Sequence, residues 1–160
     1  MILVASIVLS LQTELLESNC DIMQALRKAH VIATKLHLTE FDKWIISEMN
    51  GYKCDYTMVP EYRQLKGELK AQNPTRGWIP IMVPNNQLEN VLCVMPAYES
   101  IAELLELKQH SKTNNFIYRY PAEQALKVME MTNMPALWPI ALFISIHKIA
   151  DIVDKVFMVN

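Results

Sequence analysis

Four residues of this 160-residue chain are of types that could do chemistry together: Arg27, Glu48, Tyr62 and Arg63. Glu48 sets the problem. Phe41, Trp44, Ile45 and Met49 recur at i, i+3, i+4 and i+8, one face of an α-helix. With Phe41 at zero and about 100° per residue, Glu48 projects at about 340°, so a carboxylate lies along that apolar face. Burying a carboxylate is costly unless it is paired or hydrogen-bonded. Arg27 or Arg63 could supply a bidentate partner, clamping the loop after this helix onto the helix before it. The same arginines with Tyr62 could instead hold an anion or a nucleotide phosphate. A catalytic glutamate would need a metal-ligand cluster or an activated nucleophile beside it, and the sequence offers neither. No catalytic residue is assigned.

Other chemical signals are sparse. Cys20, Cys54 and Cys93 are scattered, odd in number and without CxxC spacing, which fits a reducing cytoplasm better than a disulfide framework or a zinc site. His30 and His37 stand two helical turns apart, about 10 Å along an axis, rather than the single turn of a helical zinc pair. His147 and Asp151 are one turn apart among charged neighbours and read as a solvated face. G-x-S-x-G, the P-loop and GxGxxG are all missing. No metal and no cofactor is expected. A net charge of −2 argues against a general electrostatic grip on nucleic acid. A local basic patch of Arg27, Lys28, Lys35 and Arg63 keeps nucleotide or nucleic acid as a second class of partner.

Composition and pattern indicate the elements that must position these residues. Hydrophobic content of 51% with 20% charged residues marks a folded chain, and the length suits one domain over 1–160. The expected fold is mainly α, with a small irregular antiparallel β element in the middle. Helices are read at about 2–17, 21–38, 40–50, 96–109, 121–131 and 145–158, with extended chain at about 62–83. In the first helix Val4, Ile7, Val8, Leu11 and Leu15 form one stripe while Leu9 and Leu16 lie nearly opposite. A two-sided apolar helix is usually sandwiched, so a central position is expected, with burial against a partner subunit or a membrane as the alternative. The second has a clean stripe, Ile22, Ala25, Leu26, Ala29, Ile32, Ala33 and Leu36, after Ser18 and Asp21 as a capping-box-like start. Thr39 with Asp42 reads as the cap of the third, and Asn50-Gly51 as its end.

Leu65 and Leu69 mark short strand segments around Gly67, and Pro80 confines Trp78–Val83 to an edge or irregular extension. Pro96 reads as the first turn of the fourth helix, with Tyr98, Ile101, Leu104 and Leu105 inward and Glu99, Glu103 and Glu106 outward. NNFIYRY reads as a short strand, Pro121 as a helix start and ALFISI as extended. The apolar start has no basic leader, and Met134–Ile146 is too short and proline-broken to span a bilayer, so neither a signal peptide nor a membrane span is expected. In the last helix Ile146, Ile149, Ile152, Val153, Val156 and Phe157 share a stripe. That stripe is read as a face for self-association or for an attached effector module.

LRKAH at 26–30, FDKWIISEMNGY at 41–52, PEYR at 60–63 and GWIPI at 77–81 together resemble the AbiTii family, over most of the chain. The resemblance implies bacterial abortive infection, in which a phage-infected cell arrests or dies before the phage spreads. It also implies a helix-rich domain on the N-terminal side of larger antiphage proteins with varied C-terminal modules, so these residues could be the first part of a longer protein. It brings no catalytic residues. The expected role is a non-catalytic sensing, regulatory or oligomerisation domain in the cytoplasm. The alternatives are a nucleotide- or nucleic-acid-binding module and a toxin-like nuclease or hydrolase using Glu48.

Overall fold

The structure is a computed structural model that describes residues 1–134 and 137–158. Among these the fold is mainly α, with seven α-helices and two small antiparallel sheets. The chain divides into two compact units. One comprises Met1–Val59, Tyr98–His110 and Ile149–Asn160, and the other Pro60–Ala97 and Ser111–Lys148.

The first unit is helical. Helices α1 (Ile2–Leu15), α2 (Ile22–Lys35) and α3 (Thr39–Asn50) are followed, after the excursion into the second unit, by α5 (Ile101–His110) and most of α7 (His147–Met158). Helix α2 is the hub. Its stripe of Ile22, Ala25, Leu26, Ala29, Ile32 and Ala33 is buried, and it packs against both α1 and α3. The alanines let neighbouring backbones approach, which is why one helix serves two partners. Asp21 alone caps it, accepting from the Met23 and Gln24 amides at 3.0 and 3.4 Å. Ser18 is not needed, because the extended backbone at Asp21 already aims its carboxylate at those donors.

The α3 cap expected of Thr39 does not form. Leu38 is the N-cap residue, without a side-chain cap bond, and Asp42 is engaged by His30 from α2. Helix α3 ends as its Asn-Gly pair predicts, but not in the left-handed helical conformation. Gly51 has φ 89° and ψ 162°, a region essentially closed to other residues. It places the Tyr52 amide on the Tyr98 carbonyl at 2.7 Å, and a Cβ on Gly51 would lie 2.9 Å from that oxygen.

The fourth predicted helix starts later than Pro96. Ser100 and Glu103 form a capping box: the Ser100 amide donates to Glu103 Oε2 at 2.8 Å, and the Glu103 amide to Ser100 Oγ at 3.2 Å. Glu103 is therefore a capping residue rather than a bare solubilising charge.

The second unit is built on strands. β1 (Gln64–Lys66) pairs with β4 (Val94–Pro96), and β3 (Gly77–Pro80), β2 (Glu68–Asn73), β6 (Ile140–Ser145) and β5 (Asn115–Arg119) form an antiparallel sheet in that order. Pro80 sits on the edge strand β3, where its missing amide costs no ladder bond. Gly67 lets the chain leave one sheet and enter the other. Its amide donates to the Cys93 carbonyl, and a Cβ there would stand 2.6 Å from the Phe143 carbonyl of β6. The β element is thus larger than the 62–83 stretch suggests, since 115–119 and 140–145 supply half of the main sheet. Helices α4 (Asn86–Leu92), which pattern reading missed, and α6 (Ala122–Thr132) complete the unit. Its core holds Leu65, Leu69, Ala71, Leu92, Ala125, Val128, Ile140, Leu142 and Ile144.

Candidate functional site

Of the four residues singled out by type, Glu48 and Arg63 are fully buried, Tyr62 is half-buried and Arg27 is exposed. Glu48 is 0% exposed on α3, and Tyr52, one turn on, donates its hydroxyl to Glu48 Oε1 at 2.6 Å. That short bond ties the Tyr52 ring to the helix end that Gly51 redirects. Among the described residues, every buried side-chain nitrogen and oxygen has a hydrogen-bond partner. Arg27, in contrast, is exposed. It lines a shallow groove between α1 and α2 with Ser6, Ile7, Ser10, Lys28 and Val31, and does not share the burial of Glu48.

Arg63 is also 0% exposed. It closes a 3₁₀ turn, Glu61–Arg63, at the entrance to β1. Its guanidinium donates to the Ala97 carbonyl at 2.9 Å, while the Ala97 amide donates to the Arg63 carbonyl at 2.8 Å. Residue 63 therefore grips residue 97 through side chain and backbone together, extending the β1–β4 ribbon by one rung. Tyr62, its neighbour, is half-buried.

The basic patch disperses as well. Lys28 is ion-paired with Glu14 of α1 and bonded to Ser10 Oγ at 3.3 Å, which leaves Arg27 and Lys35 exposed on α2. His30 Nδ1 meets Asp42 Oδ1 at 2.5 Å, joining α2 to α3. An ionised carboxylate only accepts, so Nδ1 carries the proton. The thiols are poor nucleophiles at neutral pH where their titration is perturbed: burial pushes Cys93 up, with Glu89 adding to it, and burial with Glu14 pushes Cys20 up. Burial also pushes the Tyr120 phenol up to about 12, while its hydroxyl donates to the Leu92 carbonyl at 2.9 Å.

The apolar stripe of α7 is directed into the protein. Ile149, Ile152 and Val156 are at most 3% exposed, Ile146, Val153 and Phe157 are half-buried, and the helix is a core element. The expected self-association face is thus largely covered by the chain itself, because a periodic stripe fits a core as well as an interface.

The opposite correction applies to α1. It is not sandwiched: Leu11 is its one buried residue, and α2 covers one side. The other side is open, with Ile2 90%, Leu9 65% and Leu16 88% exposed. These three recur every seven residues, and Ala5 and Gln12 lie three residues after the first two. That is the a/d spacing of a helix–helix seam, turned away from the rest of the protein. Spacing sets Leu9 and Leu16 opposite the main stripe, and of the two expectations for that side, cover within this chain or cover by a partner or membrane, their exposure removes the first.

These features can be set beside known proteins. The family model AbiTii matches residues 6–157, nearly the whole chain. This chain belongs to the AbiTii family. Membership in AbiTii points to an abortive-infection defence domain. No curated protein and no solved structure matches the chain significantly. The match spans both units and takes in α1 from Ser6 onward. Among the described residues no helix is long and apolar enough to cross a membrane.

Proposed function

We propose that this chain is a regulatory self-association domain of a bacterial antiphage defence protein, and that it pairs with a second copy through the open face of α1. The observation that carries the reading is the seam Ile2, Ala5, Leu9, Gln12 and Leu16, exposed on a helix whose other side is already packed. Soluble proteins rarely leave contiguous apolar surface of this kind without a partner.

The chemistry of the seam favours a copy of itself. Residues 1–13 carry no charged side chain, so two copies can face each other without like-charge repulsion. A lipid surface is a poorer fit, because interfacial helices carry Lys or Arg along the polar flank and α1 has neither. Leu9 lies midway between Ile2 and Leu16. A two-fold antiparallel pairing therefore stacks Leu9 on its mate and Ile2 on Leu16, with Gln12 as the polar member that fixes register. One helix of 14 residues offers less than the roughly 800 Å² per partner of a standard interface, so the association is micromolar and concentration-dependent. Such a domain suits regulation: local concentration decides whether copies pair.

Cysteine cross-linking tests the arrangement. In a Cys54→Ser background, which removes the exposed native thiol, Leu9→Cys gives a disulfide-linked dimer on mild oxidation. Leu16→Cys cross-links far less, because its neighbour in the pair is Ile2. Equal cross-linking at both positions, or none at Leu9, contradicts the antiparallel pair.

A further inference from the structure

The solvent face of the four-stranded sheet holds a second feature, independent of α1. Register and the two-residue alternation of strands divide the side chains cleanly. Leu69 and Ala71 of β2 and Ile140, Leu142 and Ile144 of β6 point to the core and are at most 2% exposed. The opposite face takes Glu68, Lys70 and Gln72 of β2, Trp78 of β3, Phe143 of β6, and Ile117 and Arg119 of β5. The register sets Gln72 opposite Trp78, Phe143 opposite both Glu68 and Ile117, and Ala141 opposite both Lys70 and Arg119. Glu68, Ile117 and Arg119 are exposed, and Lys70, Gln72, Trp78 and Phe143 are half-buried against one another.

This face is an aromatic platform with cations laid on it. The rings of Trp78 and Phe143 meet edge-to-face at 5.2 Å. Lys70 Nζ stands 4.7 Å from the Phe143 centroid, and the Arg119 guanidinium carbon 5.4 Å from the Trp78 ring. Ala141, between the two cations in register, is fully covered, as befits a small residue under a layer of longer side chains. The charged residues of these four strands are Glu68, Lys70 and Arg119, all on this face, with Glu68 held 3.6 Å from Lys70. Arg76 adds a further exposed cation in the β2–β3 turn. In a chain of net charge −2, the sheet face is locally positive.

We propose that this face binds nucleotide units, the base stacking on Trp78 and Phe143 and the phosphate meeting Lys70 and Arg119. Flat antiparallel sheets with solvent-facing aromatics are suited to unpaired bases, since every base has a π-face and stacking needs no particular sequence. Lys70 is half-buried against Phe143 and Arg119 lies exposed over Trp78, so an arriving phosphate gains charge-assisted contacts beside the stacked base. Double-stranded nucleic acid does not fit, because its bases are already stacked. An acidic peptide matches the cations but leaves the rings without a stacking partner. Free nucleotide and single-stranded nucleic acid share this chemistry, and the experiment separates them.

The test is fluorescence anisotropy of a labelled ten-nucleotide single strand, with the intact chain and without added metal. A parallel thermal-shift series uses single ribonucleotides, and a competition series uses a poly-glutamate peptide. The expected result is binding that weakens as salt rises, with Trp78→Ala costing roughly ten-fold in affinity. Arg119→Gln, at an exposed position that leaves the fold intact, weakens binding and flattens the salt dependence. A thermal shift by mononucleotides as strong as by the oligomer assigns the site to free nucleotide. A shift by the oligomer alone assigns it to single strands. No binding by either, binding unchanged in both folded variants, or displacement by poly-glutamate as efficient as by unlabelled strand would overturn the proposal.

Discussion

Gly51 illustrates how a single backbone position organises its surroundings. With φ at 89° and no room for a Cβ against the Tyr98 carbonyl, Gly51→Ala must twist the chain where α3 hands over to Tyr52. Loss of about 1–3 kcal/mol is expected, read as a lower denaturant midpoint with an unchanged slope. Tyr52 itself supports Glu48. Tyr52→Phe removes a charge-assisted bond to a buried carboxylate and should cost about 1.5–3 kcal/mol in the same measurement.

Tyr120 gives a pH signature. Its folded pKa, about 12, lies above the ordinary phenol value of 10.0, because burial disfavours the phenolate. The unfolded chain therefore loses this proton first as pH rises. The contribution is complete below pH 10 and disappears through pH 12, so stability falls across that window. Tyr120→Phe should remove this part of the alkaline decline, seen by comparing thermal midpoints of the two proteins from pH 9 to 12. It also removes the bond to Leu92, which lowers the plateau below pH 10 by about 1 kcal/mol.

At the scale of elements, caps and stripes carry different information. Ser100→Ala removes the hydroxyl half of the α5 capping box, the acceptor of the Glu103 amide, and keeps the backbone half; it should cost about 1 kcal/mol, measurable by urea unfolding. The stripes of α2, α3 and α7 were legible in the sequence because a 3.6-residue period survives any tertiary context. What a stripe faces was not legible: the α7 stripe is core, and the second α1 stripe is open. Helix α4 escaped because seven residues are too few for a period, although Asn85, whose side chain accepts from the Leu88 amide, was the available signal. The main sheet was half-seen for another reason. Strands β2 and β6 are some seventy residues apart, and β6 reads as a continuous apolar run rather than an alternating one. Glu48 was placed correctly on the apolar face of its helix by spacing alone. Its Tyr52 partner, one turn away on that side, was within reach of the same reasoning.

For the molecule as a whole, two surfaces carry the proposals: the uncharged seam of α1 in the helical unit and the aromatic, cationic sheet face in the strand unit. Of the residues that first suggested chemistry, Glu48 and Arg63 are buried and Arg27 lines an exposed groove. The Glu48 carboxylate does not face solvent, and the role proposed above rests instead on assembly through α1. The α1 account is most directly tested by sedimentation equilibrium of the intact chain from 1 to about 300 μM, a span that brackets a micromolar interface. The wild-type mass should rise from one copy toward two, while Leu9→Glu, at an exposed position that leaves the fold unchanged, should remain at one copy throughout. A wild-type protein that stays monomeric over the whole range, or a Leu9→Glu variant that dimerises equally well, would contradict it.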